Sequence, residues 1–177
     1  MIKKIGQIII FFILSSTVAI LQFSLINVLP NFWGQINLVL IVAIFTLFFF
    51  DWRSALFYTA ISGFWLDLMS FEFFGLYLAA LFITSILSFI ILKNLLTNRS
   101  FYSFFTLITL ATIIYNILIA ALFYFSFRES SLSLFISGSF YLSVLYQIIW
   151  SLFLALALFN IATILTNRFK PFFLVKK

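Results

Sequence analysis

The residues in this sequence that could carry out chemistry are few, and two of its four acidic residues lie close together in an apolar region. Asp67 and Glu72 are found between Gly63 and Gly75. A carboxylate beside a long apolar run is costly at bilayer depth, so it usually has a partner or a purpose. The chemistry that this pattern favours is a buried polar contact made by Asp67, while Glu72 is expected to be solvated in a loop.

Asp67 belongs to a periodic set of small and polar residues. Thr59, Gly63, Asp67 and Ser70 follow one another at spacings of four, four and three, which places them along one stripe of a helix. Gly75 then precedes a second apolar run that extends to residue 92. The pattern predicts a tight helical hairpin with Asp67 about one turn before its tip, in which the glycines allow close helix approach and closure of the hairpin.

Two interpretations of Asp67 are open. In the first, the carboxylate caps the start of the helix that follows the tip, or reaches the membrane interface. In the second, it contacts a partner or a ligand on the outer face, because acidic residues within a membrane are often functional. The candidate partner-binding residues are therefore Gly63, Asp67, Ser70 and Gly75.

The residue types disfavour catalysis and metal binding. The sequence contains no histidine and no cysteine, which removes the commonest general base, thiolate chemistry and the commonest metal ligands. It also lacks a phosphate-binding glycine-rich loop and a Gly-x-Ser-x-Gly elbow. Asp67 and Glu72 do not by themselves form a hydrolytic pair without a positioned substrate. We predict a non-enzymatic protein without a cofactor or a metal.

The composition is that of an integral membrane protein. Hydrophobic residues make up 66% of the chain and charged residues 8%, whereas soluble proteins have about 25% charged residues. A length of 177 residues supplies several spans of about 20 residues and leaves little for a soluble domain. The ten basic residues are scattered between apolar runs, so we predict contacts with membrane lipid and none with nucleic acid.

Six apolar segments predict an all-α integral membrane protein, a six-transmembrane-helix bundle in a single transmembrane domain. The predicted spans are residues 5–29, 37–50, 54–69, 73–92, 101–127 and 139–165, with a tight polar turn at 51–53. If Lys3 and Lys4 are cytoplasmic, alternation places nine of the ten basic residues inside and only Arg128 outside. This positive-inside pattern predicts that both termini are cytoplasmic.

Three amide side chains interrupt the last two predicted spans. Asn116 lies in the fifth, and Gln147 and Asn160 lie in the sixth. Hydrogen bonds between helices are the favoured interpretation, since such bonds determine which helix faces meet. A path for a substrate is the alternative.

The residues around Asp67 resemble one known family. The sequence SGFWLDLMS at 62–70, followed by GLYLAAL at 75–81 and by a span that ends at Lys93-Asn94, is similar to the rod shape-determining protein MreD family. That family carries a glycine, a Leu-Asp pair, a short polar turn and a Gly-x-x-Ala-Leu-like start to the next helix. Two prolines that its members usually show are absent: this chain has Gln35-Ile36-Asn37 before the second span and Phe73-Phe74 before Gly75.

The resemblance implies a non-catalytic scaffold in the bacterial inner (cytoplasmic) membrane. Such a protein binds the periplasmic coiled-coil protein MreC and acts with the actin-like MreB and the RodA and penicillin-binding synthases in lateral peptidoglycan synthesis and cell shape. The family is also similar in size and span count to the substrate-binding S components of energy-coupling-factor vitamin transporters, which provide the alternative function. An S component is expected to present a polar pocket on its outer side, for which this chain offers Asp67, Glu72, Arg128, Glu129 and amides.

Overall fold

The computed structural model describes the backbone of residues 2–26, 34–70, 72–96, 100–126 and 138–165. Within these ranges the regular structure is entirely helical, with no strand. The helices are α1 (Ile2–Leu21), which continues as a π-helical segment (Gln22–Ile26), α2 (Leu38–Phe49), α3 (Trp52–Met69), α4 (Leu76–Asn94), α5 (Phe101–Ser126) and α6 (Gly138–Leu165).

Three of these helices are long and apolar enough to cross a membrane. The qualifying segments are Leu76–Asn94, Phe101–Phe125 and Phe140–Asn160. Shorter apolar segments occur at Phe11–Ser24 and Leu38–Phe49. A helix satisfies its own backbone hydrogen bonds, which lipid cannot do. The described part of the chain therefore has the character of a helical membrane protein.

The helices overlap the six apolar segments of the sequence, and their described bounds differ from those of the predicted spans by up to three residues. The predicted start at residue 73 is too early, because residues 73–75 form a turn and α4 begins at Leu76. The predicted turn at 51–53 is too long, because α3 begins at Trp52. Asp51 is the extended residue before that helix, and its carbonyl already accepts the Ala55 N–H at 3.2 Å. The predicted span ends at residues 29 and 127 lie outside the described residues, as do Arg128 and Glu129.

The second helix lies at the centre of the described bundle. Eight of the twelve residues of α2 are buried, and it contacts all five other helices. Around it, α3 packs against α1 and α4, α4 packs against α5, and α5 packs against α6. The core contains apolar side chains with less than 2% exposure, among them Ile41, Ile44, Leu81, Phe104 and Leu107. The least buried of the three long apolar helices is α6.

One end of the bundle brings together polar side chains from several segments of the chain. We call it the tip end and define it by Gln22, Asn37, Ser70 and Tyr77. Here the π-helical segment after α1 meets the start of α2, and the end of α3 meets the start of α4. The tip end is therefore where the sequence-predicted site residues are positioned.

Candidate functional site: the α3–α4 hairpin and the tip end

The carboxylate of Asp67 caps the helix that follows the hairpin tip. Its Oδ1 accepts the backbone N–H of Tyr77 at 2.8 Å, and its Oδ2 accepts that of Leu78 at 3.0 Å. The N–H of Gly75 also interacts with the carboxylate. The first N–H groups of a helix have no partner within the helix, and its N-terminus carries a partial positive charge. From the neighbouring helix, Asp67 therefore supplies hydrogen-bond acceptors for the first N–H groups of α4, which confirms the capping interpretation.

Gly75 allows the chain to reverse direction immediately before α4. It is the N-cap residue of that helix and has a φ of +96°, a left-handed conformation that side-chain-bearing residues rarely adopt. Its carbonyl accepts the Ala79 N–H at 2.9 Å, which starts the helical hydrogen bonds. The predicted role of Gly75 in closing the hairpin is confirmed by this conformation.

Gly63 lies where the two helices of the hairpin come closest. A Cβ atom placed on Gly63 would lie 2.7 Å from the Cα and 3.2 Å from the backbone nitrogen of Leu78. These are backbone atoms, so no change of rotamer could relieve the contact. The predicted role of this glycine in close helix approach is confirmed, and it brings α4 within reach of the Asp67 carboxylate one turn further along α3.

Ser70 ends α3 and completes the predicted stripe. Its backbone N–H donates to the Leu66 carbonyl at 2.8 Å, and its hydroxyl donates to the Asp67 carbonyl at 3.2 Å. Thr59 and Gly63 on the same stripe are buried, and Asp67 is only 3% exposed. The structure thus brings the four site residues together in one hairpin and assigns them intramolecular roles. Their role in partner binding stays a prediction.

A second polar connection at the tip end joins the π-helical segment to the start of α2. The Gln22 side chain donates to the Ile36 carbonyl and accepts the Leu38 N–H, both at 2.7 Å. Asn37 caps α2, since its Oδ1 accepts the Leu40 N–H at 3.0 Å. The starts of α2 and α4 are therefore both capped by side chains. Gln22 and Asp67, which contribute to these caps, come from the helical segments that precede α2 and α4.

A small polar cavity lies between these two capped helix starts. Its volume is about 80 Å³. The side chain of Asn37 is a hydrogen-bond partner of the Tyr115 hydroxyl, and Tyr115 is only 4% exposed. We call it the polar cavity; it is lined by Gln22, Phe23, Asn37, Leu66, Ser70, Tyr77 and Tyr115.

The polar cavity was not predicted from the sequence. Of its lining residues, only Ser70 was a predicted site residue. Gln22, Asn37, Tyr77 and Tyr115 come from four separate segments, and helical periodicity reports the faces of single helices rather than which segments meet. The available signal was the position of Asn37 directly before an apolar run, which is typical of an N-cap.

The outside of the hairpin tip is acidic and aromatic. Glu72 is exposed, and Phe73 and Phe74 are 65% and 57% exposed. Beside them lies an apolar groove of about 360 Å³ between the start of α4 and the end of α5. We call it the tip groove; it is lined by Phe73, Phe74, Gly75, Leu76, Ala79, Leu122 and Phe125.

Away from the tip, the fifth and sixth helices are joined by amides. Asn116 Nδ2 donates to Gln147 Oε1 at 2.6 Å and to the Thr112 carbonyl at 2.7 Å. This bond confirms the predicted helix-to-helix role of Asn116 and Gln147. Asn160, on the same helix as Gln147, also takes part in an interaction.

The described residues offer binding groups rather than a group of metal ligands. No set of three or more His, Cys, Asp and Glu side chains that could hold a metal ion occurs among them. Asp67, the one buried carboxylate in the part of the chain that the structure describes, is already bound to two backbone N–H groups. Comparison with family models, with curated proteins and with solved structures finds no match for this chain.

Proposed function

We propose that this chain is a non-enzymatic scaffold subunit of the rod-shape and cell-wall elongation complex, of the kind that the MreD family represents. In this proposal it binds MreC and acts in one complex with MreB and the RodA and penicillin-binding-protein synthase, so that it supports lateral peptidoglycan synthesis and cell shape. The proposal rests on the resemblance of residues 62–81 and on the geometry of the hairpin that they form.

The observation that carries the proposal is a hairpin whose polar groups are used internally and whose tip is exposed. Asp67 and Gly63 fix α4 against α3. The tip then presents Glu72 and two exposed phenylalanines beside an apolar groove. Exposed aromatic side chains beside a groove are typical of residues that anchor a partner. A fixed element with such a tip suits a protein that binds another protein.

The proposal includes a membrane topology. We place the chain in the bacterial inner (cytoplasmic) membrane as a multi-pass protein with six spans and both termini in the cytoplasm. The three long apolar helices and the nine-to-one distribution of basic residues support this arrangement. It places the tip end, with Asp67 and Glu72, on the outer side, where a periplasmic coiled-coil protein emerges from the membrane.

The size of the polar cavity favours the scaffold over the vitamin-binding alternative. Sites for small molecules have volumes of roughly 300–1,000 Å³ and bury most of the ligand. The polar cavity has about 80 Å³. The tip groove is larger but apolar, so it lacks the convergent polar groups that would orient a vitamin.

Photocrosslinking from the tip tests the proposal. A photoreactive phenylalanine analogue is introduced at Phe74, which is 57% exposed, in a rod-shaped bacterium, and captured proteins are identified by mass spectrometry. Phe153 on α6 is the matched control, because it is also a phenylalanine and is 63% exposed. We expect position 74, and not position 153, to capture the single-span coiled-coil protein MreC.

Two results would count against the scaffold. Capture of the coupling subunits of a transporter from position 74 would favour the S-component alternative. Capture of lipid alone from position 74, at the level seen from position 153, would show that the tip faces only the membrane. An S component should also gain thermal stability with a vitamin, by about 2.7 kcal/mol at a hundredfold excess over its dissociation constant; a scaffold should not.

A further inference from the structure

We propose that the polar cavity at the tip end binds one short, uncharged polar side chain from the membrane segment of a partner protein. This inference rests on the proposed scaffold function and names the chemistry of the contact. Of the four residues predicted to bind a partner, only Ser70 lines this cavity.

The volume of the polar cavity limits its ligand to a single short side chain. In liquid water one molecule occupies about 30 Å³, so a cavity of about 80 Å³ holds two or three waters or one short polar side chain. Serine, threonine or asparagine fits such a space. A complete small molecule or a lipid headgroup does not, because pockets for such ligands are several times larger.

The charges around the cavity exclude an ionised group. No acidic or basic side chain lines it. The nearby Asp67 carboxylate is buried and bound to the α4 backbone, so it is not free to pair with a cation. The same carboxylate would repel a phosphate. Burying an unpaired charge is expensive, so a neutral group is favoured.

The hydrogen-bonding groups of the wall suit a neutral polar group. Gln22 Oε1 and Asn37 Oδ1 each accept one backbone N–H and, as amide oxygens, keep a second lone pair. The Tyr115 hydroxyl is bonded to the Asn37 side chain. Tyr77 lines the cavity beside Tyr115, and within the described residues its hydroxyl makes no hydrogen bond. A phenol can donate or accept, so an entering amide or hydroxyl group would find a partner.

The wall is also preorganised. Gln22 joins the π-helical segment to α2, and Asp67 joins α3 to α4. Four of the elements that line the cavity are thus held in place by hydrogen bonds within this chain. A site that is already formed loses little conformational entropy when a partner binds.

The test compares two tyrosines that differ in position. Tyr77→Phe removes only the hydroxyl of a residue that lines the cavity, and Tyr102→Phe removes a hydroxyl from a side chain that is 80% exposed near the start of α5. The readout is the amount of the protein captured from position 74 that co-purifies with each variant, together with the thermal unfolding midpoint. Since one hydrogen bond is worth about 1 kcal/mol, we expect Tyr77→Phe to weaken the association about fivefold. Tyr102→Phe should behave as the unsubstituted protein.

The outcomes separate this inference from the proposed function. A loss for Tyr77→Phe with unchanged unfolding midpoints supports the inference. Equal co-purification for the two variants overturns it and leaves the scaffold in place, since position 74 still captures the partner. If a photoreactive side chain at position 77 captures lipid and not the partner, the inference is also overturned. If the unsubstituted chain captures no partner from position 74, the scaffold fails and the inference fails with it.

Discussion

The α3–α4 hairpin and the α5–α6 pair are both antiparallel helix pairs, but different atoms hold them together. In the hairpin, the Asp67 carboxylate binds backbone N–H groups and Gly63 lies against the backbone of Leu78. In the other pair, side chains meet side chains: Asn116 bonds to Gln147, and the rings of Phe101 and Phe159 pack at 4.7 Å. The first arrangement leaves no freedom to adjust, because backbone atoms cannot change rotamer, whereas the second can repack.

Because of this difference, we expect partner binding at the hairpin rather than at the α5–α6 pair. A pair fixed through its backbone presents its tip in one orientation, which is what a partner-binding surface needs. A pair joined by side chains, with α6 the least buried of the long apolar helices, suits contact with lipid or with other helices. Four substitutions measure this difference through their effects on stability.

The largest loss of stability is expected for Asp67→Ala. The substitution leaves the N–H groups of Tyr77 and Leu78 without their acceptor in a buried site. Each unpaired group costs about 1–3 kcal/mol, so the free energy of unfolding should fall by several kcal/mol. Equilibrium unfolding of the purified protein in detergent measures it. Asp67→Asn retains one side-chain oxygen and should lose less; equal stability of Asp67→Ala and the unsubstituted protein would show that the cap contributes nothing.

Gly63→Ala tests the close approach of the two hairpin helices. The new Cβ would lie 2.7 Å from the Leu78 Cα, so the helices must separate, at a cost of about 1–3 kcal/mol for overpacking. Gly138→Ala is the matched control, because a Cβ at Gly138 has no neighbour within 4 Å. Its effect should stay within about 0.5 kcal/mol. Thermal unfolding of the two variants side by side gives the comparison, and similar effects would contradict the close contact.

A smaller effect is expected for Asn116→Leu in the α5–α6 pair. Hydrogen bonds between membrane helices contribute about 0.6 kcal/mol on average and about 1.7 kcal/mol at most. The double substitution with Gln147→Leu should cost less than the sum of the two single ones, because both remove the same 2.6 Å bond. Unfolding of the three variants provides the cycle. Strict additivity would mean that the two amides do not interact.

The features predicted from the sequence are those that depend on one helix or on two helices adjacent in the chain. The spacing of Thr59, Gly63, Asp67 and Ser70 indicated one stripe of a helix, and the short tip predicted that α4 packs beside it. The start of α4 was placed three residues too early, because Phe73 and Phe74 continue the apolar run and hydropathy does not register the left-handed conformation of Gly75.

The polar cavity could not be predicted because it depends on contacts between distant segments. Gln22 bonds to backbone groups 14 and 16 residues away, and Asn37 meets Tyr115 from the other half of the chain. A single sequence gives the face on which a residue lies but not its partner on another helix. The Asn116–Gln147 bond is an intermediate case, since an amide within an apolar span must find a partner and few were present.

The smallest effect is expected for Tyr58→Phe, which tests whether a buried hydroxyl of the hairpin contributes to its stability. Tyr58 lies on α3 and is fully buried, yet its hydroxyl has no hydrogen-bond partner among the described residues. Removing a buried, unpaired hydroxyl relieves its desolvation cost, so the unfolding free energy should stay the same or rise. Tyr115→Phe, which loses the bond to Asn37, should instead lower it by about 1 kcal/mol. Thermal unfolding compares the two, and an equal loss for Tyr58→Phe would mean that water pairs with this hydroxyl. Without such a loss, the stability of the hairpin is assigned to the cap and the glycine contact rather than to buried polarity in general.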